Sequence, residues 1–552
     1  MRCGLFVLLI ACGEVPPASA PATPAPSATP APSATPTASE PAASEPTASE
    51  PAGRARFVGV EVPTALGDQL QLQAASALTA DGVEHTLALS RLASLTAEGC
   101  DVADHAALLS APDGPTLLSN GPCADSRLTL TALAQSEQGA LTAVNGPGGI
   151  GVLAASKGDL TPWGSYLVGQ RTTGWVHELR LTSARTGTAE ARRSLGRLAT
   201  KTALALSDRT TVYLAGADGG LFLFLAEQEG DLSSGALYGL RWVPREEPGE
   251  VVADLHWVPL GAATESEVRG WAAREPTEDQ VFQVEAPGAD GACAEGLTRL
   301  TEEGAARCVR VREGQEGPAG RLFTARAAAV AGVSLDLGVV GDLTYAREHQ
   351  ELYVALTPRA GLLGAEAEAC GAVLALSLTP GVRHTGGGIL ASEAAATTAR
   401  VLFAGRPERY TAPGMEGNRC DVERVAMPGS LAYLSGYDLL IVGERAGGHT
   451  NPAVWAWPLN GGSATRLLTV PLCAELGGLR WVNNLGGLGY LGVVVQHPFV
   501  HGTCRAPEGF TAPAGSEGTW AGSYGPFPTL GERAGPSDGL PEAGRGQPLE
   551  RP

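Results

Sequence analysis

The chain has 552 residues, 73 of them glycine and 40 proline, and only 18% are charged. That much glycine and proline calls for many turns, which favours an all-β fold with low-complexity segments over a helical one. A net charge of −19 repels phosphate backbones, and no basic run with interleaved aromatics offsets it, so nucleic acid is excluded as a partner.

Residues 1–12 carry one positive residue, Arg2, and then a short apolar core from Leu5 to Ala11. The run is too short to span a bilayer and reads as a signal segment. Leu9-Ile-Ala-Cys12 resembles a bacterial lipobox. The expectation is that Cys12 is lipidated and holds the chain to a lipid bilayer at the cell envelope, on the outer membrane or cell surface. The alternative is an ordinary signal peptide in which Cys12 has no role. Residues 13–55 are an Ala/Pro/Ser/Glu-rich linker. They offer almost nothing to bury, and proline favours polyproline II, so about 40 residues at ~3.1 Å each reach on the order of 120 Å. Such a segment suits a tether.

From residue 56 to 504 the pattern changes to short apolar runs separated by Gly, Asp, Asn and Pro. Thr211-Val-Tyr-Leu-Ala, Leu221-Phe-Leu-Phe-Leu, Glu351-Leu-Tyr-Val-Ala-Leu, Ala372-Val-Leu-Ala-Leu, Leu439-Leu-Ile-Val and Leu491-Gly-Val-Val-Val are examples. They read as strands joined by hairpins, and their recurrence over so long a stretch predicts a β-propeller. Residues 243–320, richer in charge and glycine, read as an acidic insertion between blades. Residues 505–552, poor in apolar side chains, read as a Gly/Pro-rich tail.

Eight cysteines lie beyond the first segment, without C-x-x-C spacing, which fits disulfides better than zinc. Pairing of sequence neighbours is expected: Cys100 with Cys123, Cys293 with Cys308, Cys370 with Cys420, and Cys473 with Cys504. Gly146-Pro-Gly148-Gly-Ile-Gly151 matches a dinucleotide fingerprint only in letters, since Pro147 and the strand-rich context argue for a glycine hairpin loop. His497 and His501 are four apart, but Pro498 prevents the helix that a zinc site of that spacing needs.

The stretch Thr161-Pro-Trp-Gly-Ser-Tyr-Leu opens with a turn at Pro162 and Gly164 and enters a strand, a hairpin corner suited to a site, with Trp163 a candidate mouth residue. It is similar to the Thr-Pro-Trp-Gly-Thr-Trp-Leu of the PhoX-type alkaline phosphatases. Further collinear segments resemble the same family: Gly174-Trp-Val-His-Glu, Leu195-Gly-Arg-Leu, Thr211-Val-Tyr-Leu with Gly219-Gly-Leu-Phe-Leu-Phe, Gly230-Asp-Leu-Ser-Ser-Gly, Gly341-Asp-Leu-Thr-Tyr, Leu352-Tyr-Val-Ala-Leu-Thr, and Val495-Gln-His-Pro498. The resemblance implies a secreted six-bladed β-propeller. It also implies phosphomonoester hydrolysis at a cluster of iron and calcium ions in the central mouth, where hard cations stabilise the charge on the reacting phosphate.

The residues that would hold that cluster are replaced. Val168, Gly169, Gln170 and Arg171 stand where the family has Thr-Cys-Glu-Glu. Thr200-Lys201 replaces His-Glu, and Ala215-Gly216-Ala217 replaces Thr-Glu-Asp, with Asp218 one step away. Val340-Gly341-Asp342 replaces Pro-Glu-Asp, and Gly443-Glu444-Arg445 replaces Cys-Glu-Asp. No cofactor is therefore expected, and the chain reads as a surface-tethered lipoprotein and pseudoenzyme that binds a ligand or partner. Arg171, Lys201 and Arg445, standing where the family has acids, suggest an anionic small molecule. The alternative is a divergent metal-dependent phosphatase that holds iron and calcium at a site rebuilt from Asp218, Asp342 and Glu444.

Overall fold

Apolar runs interrupted by glycine and aspartate become strands because each is packed on both faces by the sheets beside it. In a computed structural model of the chain, described for residues 55–530 apart from 97–102, 122, 124–125, 145, 247–248, 502–503, 507, 509 and 513–517, these strands form six blades. Blade 1 runs from Ala106–Ala111 to Gly148–Leu153, blade 2 from Ala155–Leu160 to Thr186–Arg192, and blade 3 from Thr200–Ala205 to Asp231–Pro244. Blade 4 runs from Gly338–Ala346 to Ala395–Ala404, and blade 5 from Pro428–Leu434 to Thr465–Thr469. Blade 6 begins with Glu475–Leu485 and Leu488–Gln496. Every pairing within the blades is antiparallel, and the first strand of each blade packs toward the axis.

The fold is thus the six-bladed all-β propeller expected, and all six quoted apolar runs lie in strands. Alanine content alone does not decide the element: Ala327–Val330 lies in the helix Thr324–Ala331, while the alanine-rich residues 395–398 lie in a strand. Gly148–Leu153 is the outer strand of blade 1, paired with Arg127–Gln135, and no helix follows it.

Two boundaries move. Trp520–Pro528, inside the expected tail, is the third strand of blade 6, and Ala88–Ser94 is its fourth. The ring is closed by strands from both ends of the described chain. Residues 251–264 are not insertion either: Val251–Thr264 pairs with Asp231–Pro244 on one side and Ala395–Ala404 on the other, fusing blades 3 and 4 into one nine-stranded sheet. The inserted unit starts after Thr264 and holds four helices and a small sheet of Phe282–Glu285, Thr298–Glu302 and Ala305–Val311. Near the outer edge of blade 5, Gln73–Ala74 adds a fifth strand.

Disulfides join Cys293 to Cys308, Cys370 to Cys420 and Cys473 to Cys504, as expected. Cys123 is also disulfide-bonded, and Cys100, its expected partner, lies outside the described residues. Half-cystines in this number fit an oxidising compartment. Cys12, the linker to residue 54 and residues 531–552 lie outside the described residues too.

Candidate functional site

The first strands of the six blades run in the same direction along the axis, so their side chains line a channel with two ends. On the axis the channel is closed by charge. Asp342, fully buried on the first strand of blade 4, receives Nη1 and Nη2 of Arg480 at 2.8 and 2.9 Å. Thr202 Oγ1, Ser430 Oγ and the backbone N–H groups of Leu343 and Leu431 donate to the same carboxylate. Arg480 Nε donates to the Gly158 carbonyl at 2.6 Å. Lys157 Nζ lies 3.9 Å from Asp342 and donates to the carbonyls of Gly341 and Gly429.

Burial alone would raise the Asp342 carboxyl, but Arg480 and Lys157 override it and hold it at about 2. Burial would lower the Arg480 guanidinium, and Asp342 more than reverses that. Lys157 is lowered, by burial first, with Asp342 only partly compensating. Beside this cluster His105 is wholly buried, 2.5 Å from the Tyr166 hydroxyl, and is lowered to about 3 by burial and then by Arg480. The ring is therefore neutral.

One end of the channel opens into a pocket of about 170 Å³ lined by Lys157, Lys201, Val339, Val340, Gly341, Gly429, Arg445, Glu475, Gln496 and Asp104. Arg171 reaches this pocket indirectly, clamping Asp104 with Nη1 and Nη2 at 3.1 and 2.7 Å. Burial would raise the Asp104 carboxyl, but Arg171 and Lys157 hold it below its ordinary value. Two glycines shape the floor. A Cβ at Gly429 would overlap the Arg445 stem, with Cγ only 2.0 Å away, and one at Gly341 would lie 2.9 Å from the Gly429 backbone. Arg445 lies across Gly429 only because no side chain is there.

Lys201, Val340, Gly341 and Arg445, four of the replaced positions, thus meet in one pocket, with Asp342 beneath it. The other replaced positions do not join them. Gln170 is turned onto the backbone, bonding the Leu153 carbonyl and the Trp175 N–H. Gly169 packs against Thr200 of blade 3, and Gly216 pairs with Thr200 at the end of its strand. Asp218 is exposed in the turn that follows. Glu444 is buried and accepts from the N–H groups of Ala426 and Ala453, from Trp455 Nε1 and from His449 Nδ1, at 2.7–2.9 Å. Asp218, Asp342 and Glu444 therefore do not converge, and among the described residues no three His, Cys, Asp or Glu side chains do.

A cluster of hard cations needs several carboxylates with free lone pairs. Asp342 has spent its own on two cations and four further donors, and Glu444 on four donors. The residues present do not fit the cluster that the resemblance implies.

The Thr161–Gly164 corner belongs to the opposite end. Pro162 lines a second pocket of about 130 Å³ with Asp159, Tyr345, Tyr433 and Trp481. The turn is fixed by Gly164 N–H on the Thr161 carbonyl, with Gly164 at φ 82°, and by Glu178, which accepts from Trp163 Nε1, Ser165 Oγ and Arg192 Nε. Trp163 is thus a strut of the scaffold and lines neither pocket. Arg480 and Lys157 carry no marker in the sequence, because an isolated basic residue in an apolar strand does not reveal which way it faces.

No family model matches the sequence, and no curated protein does. Among solved structures the chain is similar to Pseudomonas fluorescens PhoX, in complex with the transition-state analogue vanadate. The TM-score is 0.55 at 14% identity, over 85% of this chain and 97% of that one. It also matches the β-propeller domain of Myceliophteria thermophila Cps50 (Swd1), with a TM-score of 0.33 and 11% identity over 79% of this chain and 99% of that one. Kuenenia stuttgartiensis hydrazine synthase gives a TM-score of 0.31 and 11% identity, over 74% of this chain and 97% of that one. The architecture is a PhoX-like β-propeller.

Proposed function

We propose that this chain is a PhoX-like propeller that binds a small anion at the mouth between Lys201 and Arg445, without hydrolysing it at a metal cluster. One observation carries the reading. Two cationic side chains with no ion-pair or hydrogen-bond partner among the described residues face one small pocket, above a carboxylate already neutralised by Arg480. Unpaired cations at a partly enclosed mouth attract and hold an anion more strongly than the same charges in open water. The reading includes the tether: the N-terminal segment would hold this propeller at the cell envelope through lipidated Cys12.

Calorimetry with an alkyl phosphate at low ionic strength tests the binding. Saturable heat is expected, weakened about tenfold or more in Lys201→Ala and in Arg445→Ala, each of which removes one charged contact. No heat at millimolar ligand, or an unchanged isotherm in both variants, would overturn it. Elemental analysis for iron and calcium beside a p-nitrophenyl phosphate assay tests the absence of turnover. Stoichiometric metal together with hydrolysis would restore the phosphatase reading.

A further inference from the structure

The mouth pocket holds a third unpaired charge of the opposite sign. Glu475, on the first strand of blade 6, lines the same cavity of about 170 Å³ as Lys201 and Arg445. Its Oε2 accepts the Ala446 N–H at 3.3 Å, and no cation pairs with it among the described residues. The other charges are spent on one another or on the backbone. Asp104 is clamped by Arg171 and Asp342 by Arg480, while Lys157 gives its N–H groups to two carbonyls.

Two cations and one carboxylate thus face one small cavity without touching each other. Unlike charges left apart at a concave, partly desolvated site are matched by a ligand that carries the reverse pattern, and such complementarity sets specificity. The reverse pattern is two negative charges and one positive charge on one small molecule. Between them, Val339 (42% exposed) and Val340 present apolar surface to the cavity.

We infer that the mouth takes an aminoalkyl phosphate. The dianionic phosphate sits on Lys201 and Arg445, the ammonium donates to Glu475, and the short alkyl link lies against Val339 and Val340. This rests on the anion-binding reading above and adds the ammonium to it. The link between the groups must be short, since the cavity is smaller than the ~300 Å³ at which pockets for drug-sized ligands begin.

The test is a matched pair, 2-aminoethyl phosphate and ethyl phosphate, titrated calorimetrically into the same protein at low ionic strength. The amine should bind about tenfold tighter, the worth of one charge-assisted contact. In Glu475→Gln, which keeps the shape and the acceptor for Ala446, the preference should vanish while ethyl phosphate binds at least as well as before. Circular dichroism of the variant confirms that it is folded. Equal affinities in the unaltered protein, or a preference that survives in Glu475→Gln, would overturn the inference and leave anion binding standing. If neither ligand binds, both fall.

Discussion

Among single residues, Arg480 governs the most. It neutralises a wholly buried carboxylate and caps the Gly158 carbonyl in one step. Removing one member of a buried pair leaves an uncompensated charge, which costs about 3–5 kcal/mol. Arg480→Met should lower the unfolding free energy by that amount in chemical denaturation at neutral pH. Adding Asp342→Leu should recover part of it, because an apolar pair carries no stranded charge. A loss below about 1 kcal/mol, the worth of an exposed pair, would mean that the two are not coupled as described.

The same pair sets an acid limit. Asp342 is held at about 2 against an ordinary 3.8. A carboxyl lowered in the folded state contributes stability above its unfolded pKa and loses it as pH falls through the folded one. Roughly 2–3 kcal/mol should therefore disappear between about pH 4 and pH 2. The residue-level expectations were uneven for a physical reason. Lys201 and Arg445 were legible because they stand where a resembled family has acids. Arg480 and Lys157 were not, because Arg480 meets its carboxylate across a separation of 138 residues, and nothing in either stretch alone announces the other.

Among elements, strands with dense apolar faces were legible and a strand without one was not. Leu221–Gln228 and Ala372–Thr379 show nearly unbroken apolar runs. Trp520–Pro528 is Trp-Ala-Gly-Ser-Tyr-Gly-Pro-Phe-Pro, whose glycines and prolines weaken any strand reading. It is kept as a strand by tertiary partners: Tyr524 and Phe527 are wholly buried, and Tyr524 Oη donates to the Ala75 carbonyl. Truncation distinguishes the two boundaries. A chain ending at residue 530 should fold and melt cooperatively near the full-length Tm. One ending at residue 504 should lose the third strand of blade 6, strand the Ala88–Ser94 edge, and fail to give a soluble cooperative unit. If both melt alike, blade 6 does not need Trp520–Pro528.

For the whole molecule, the fold was legible because many weak signals agreed. Collinear family-like segments and recurring strand runs give one architecture, and the observed propeller has it. The chemistry of the mouth was legible only as replacement of one residue type by another. Its geometry, which replaced positions meet and which are turned onto the backbone, is decided by register across blades. The tether is a prediction at this scale. Labelled palmitate should enter the full chain expressed in a bacterial host, and Cys12→Ser should abolish incorporation while leaving the propeller's melting unchanged. Labelling that persists in Cys12→Ser would refute it.

The closure of blade 6 has a consequence for how the chain is made. Ala88–Ser94 precedes blades 1 to 5 in the chain, and its strand partner, Trp520–Pro528, follows them. Until then the ring cannot shut, and the buried faces of blades 6 and 1 have no complete neighbour. Contacts this distant in sequence are slow to form and leave apolar edges open to aggregation meanwhile. The propeller is therefore a structure that must be held soluble while all five other blades are being made. Its yield should depend on chaperone supply more steeply than its final stability suggests.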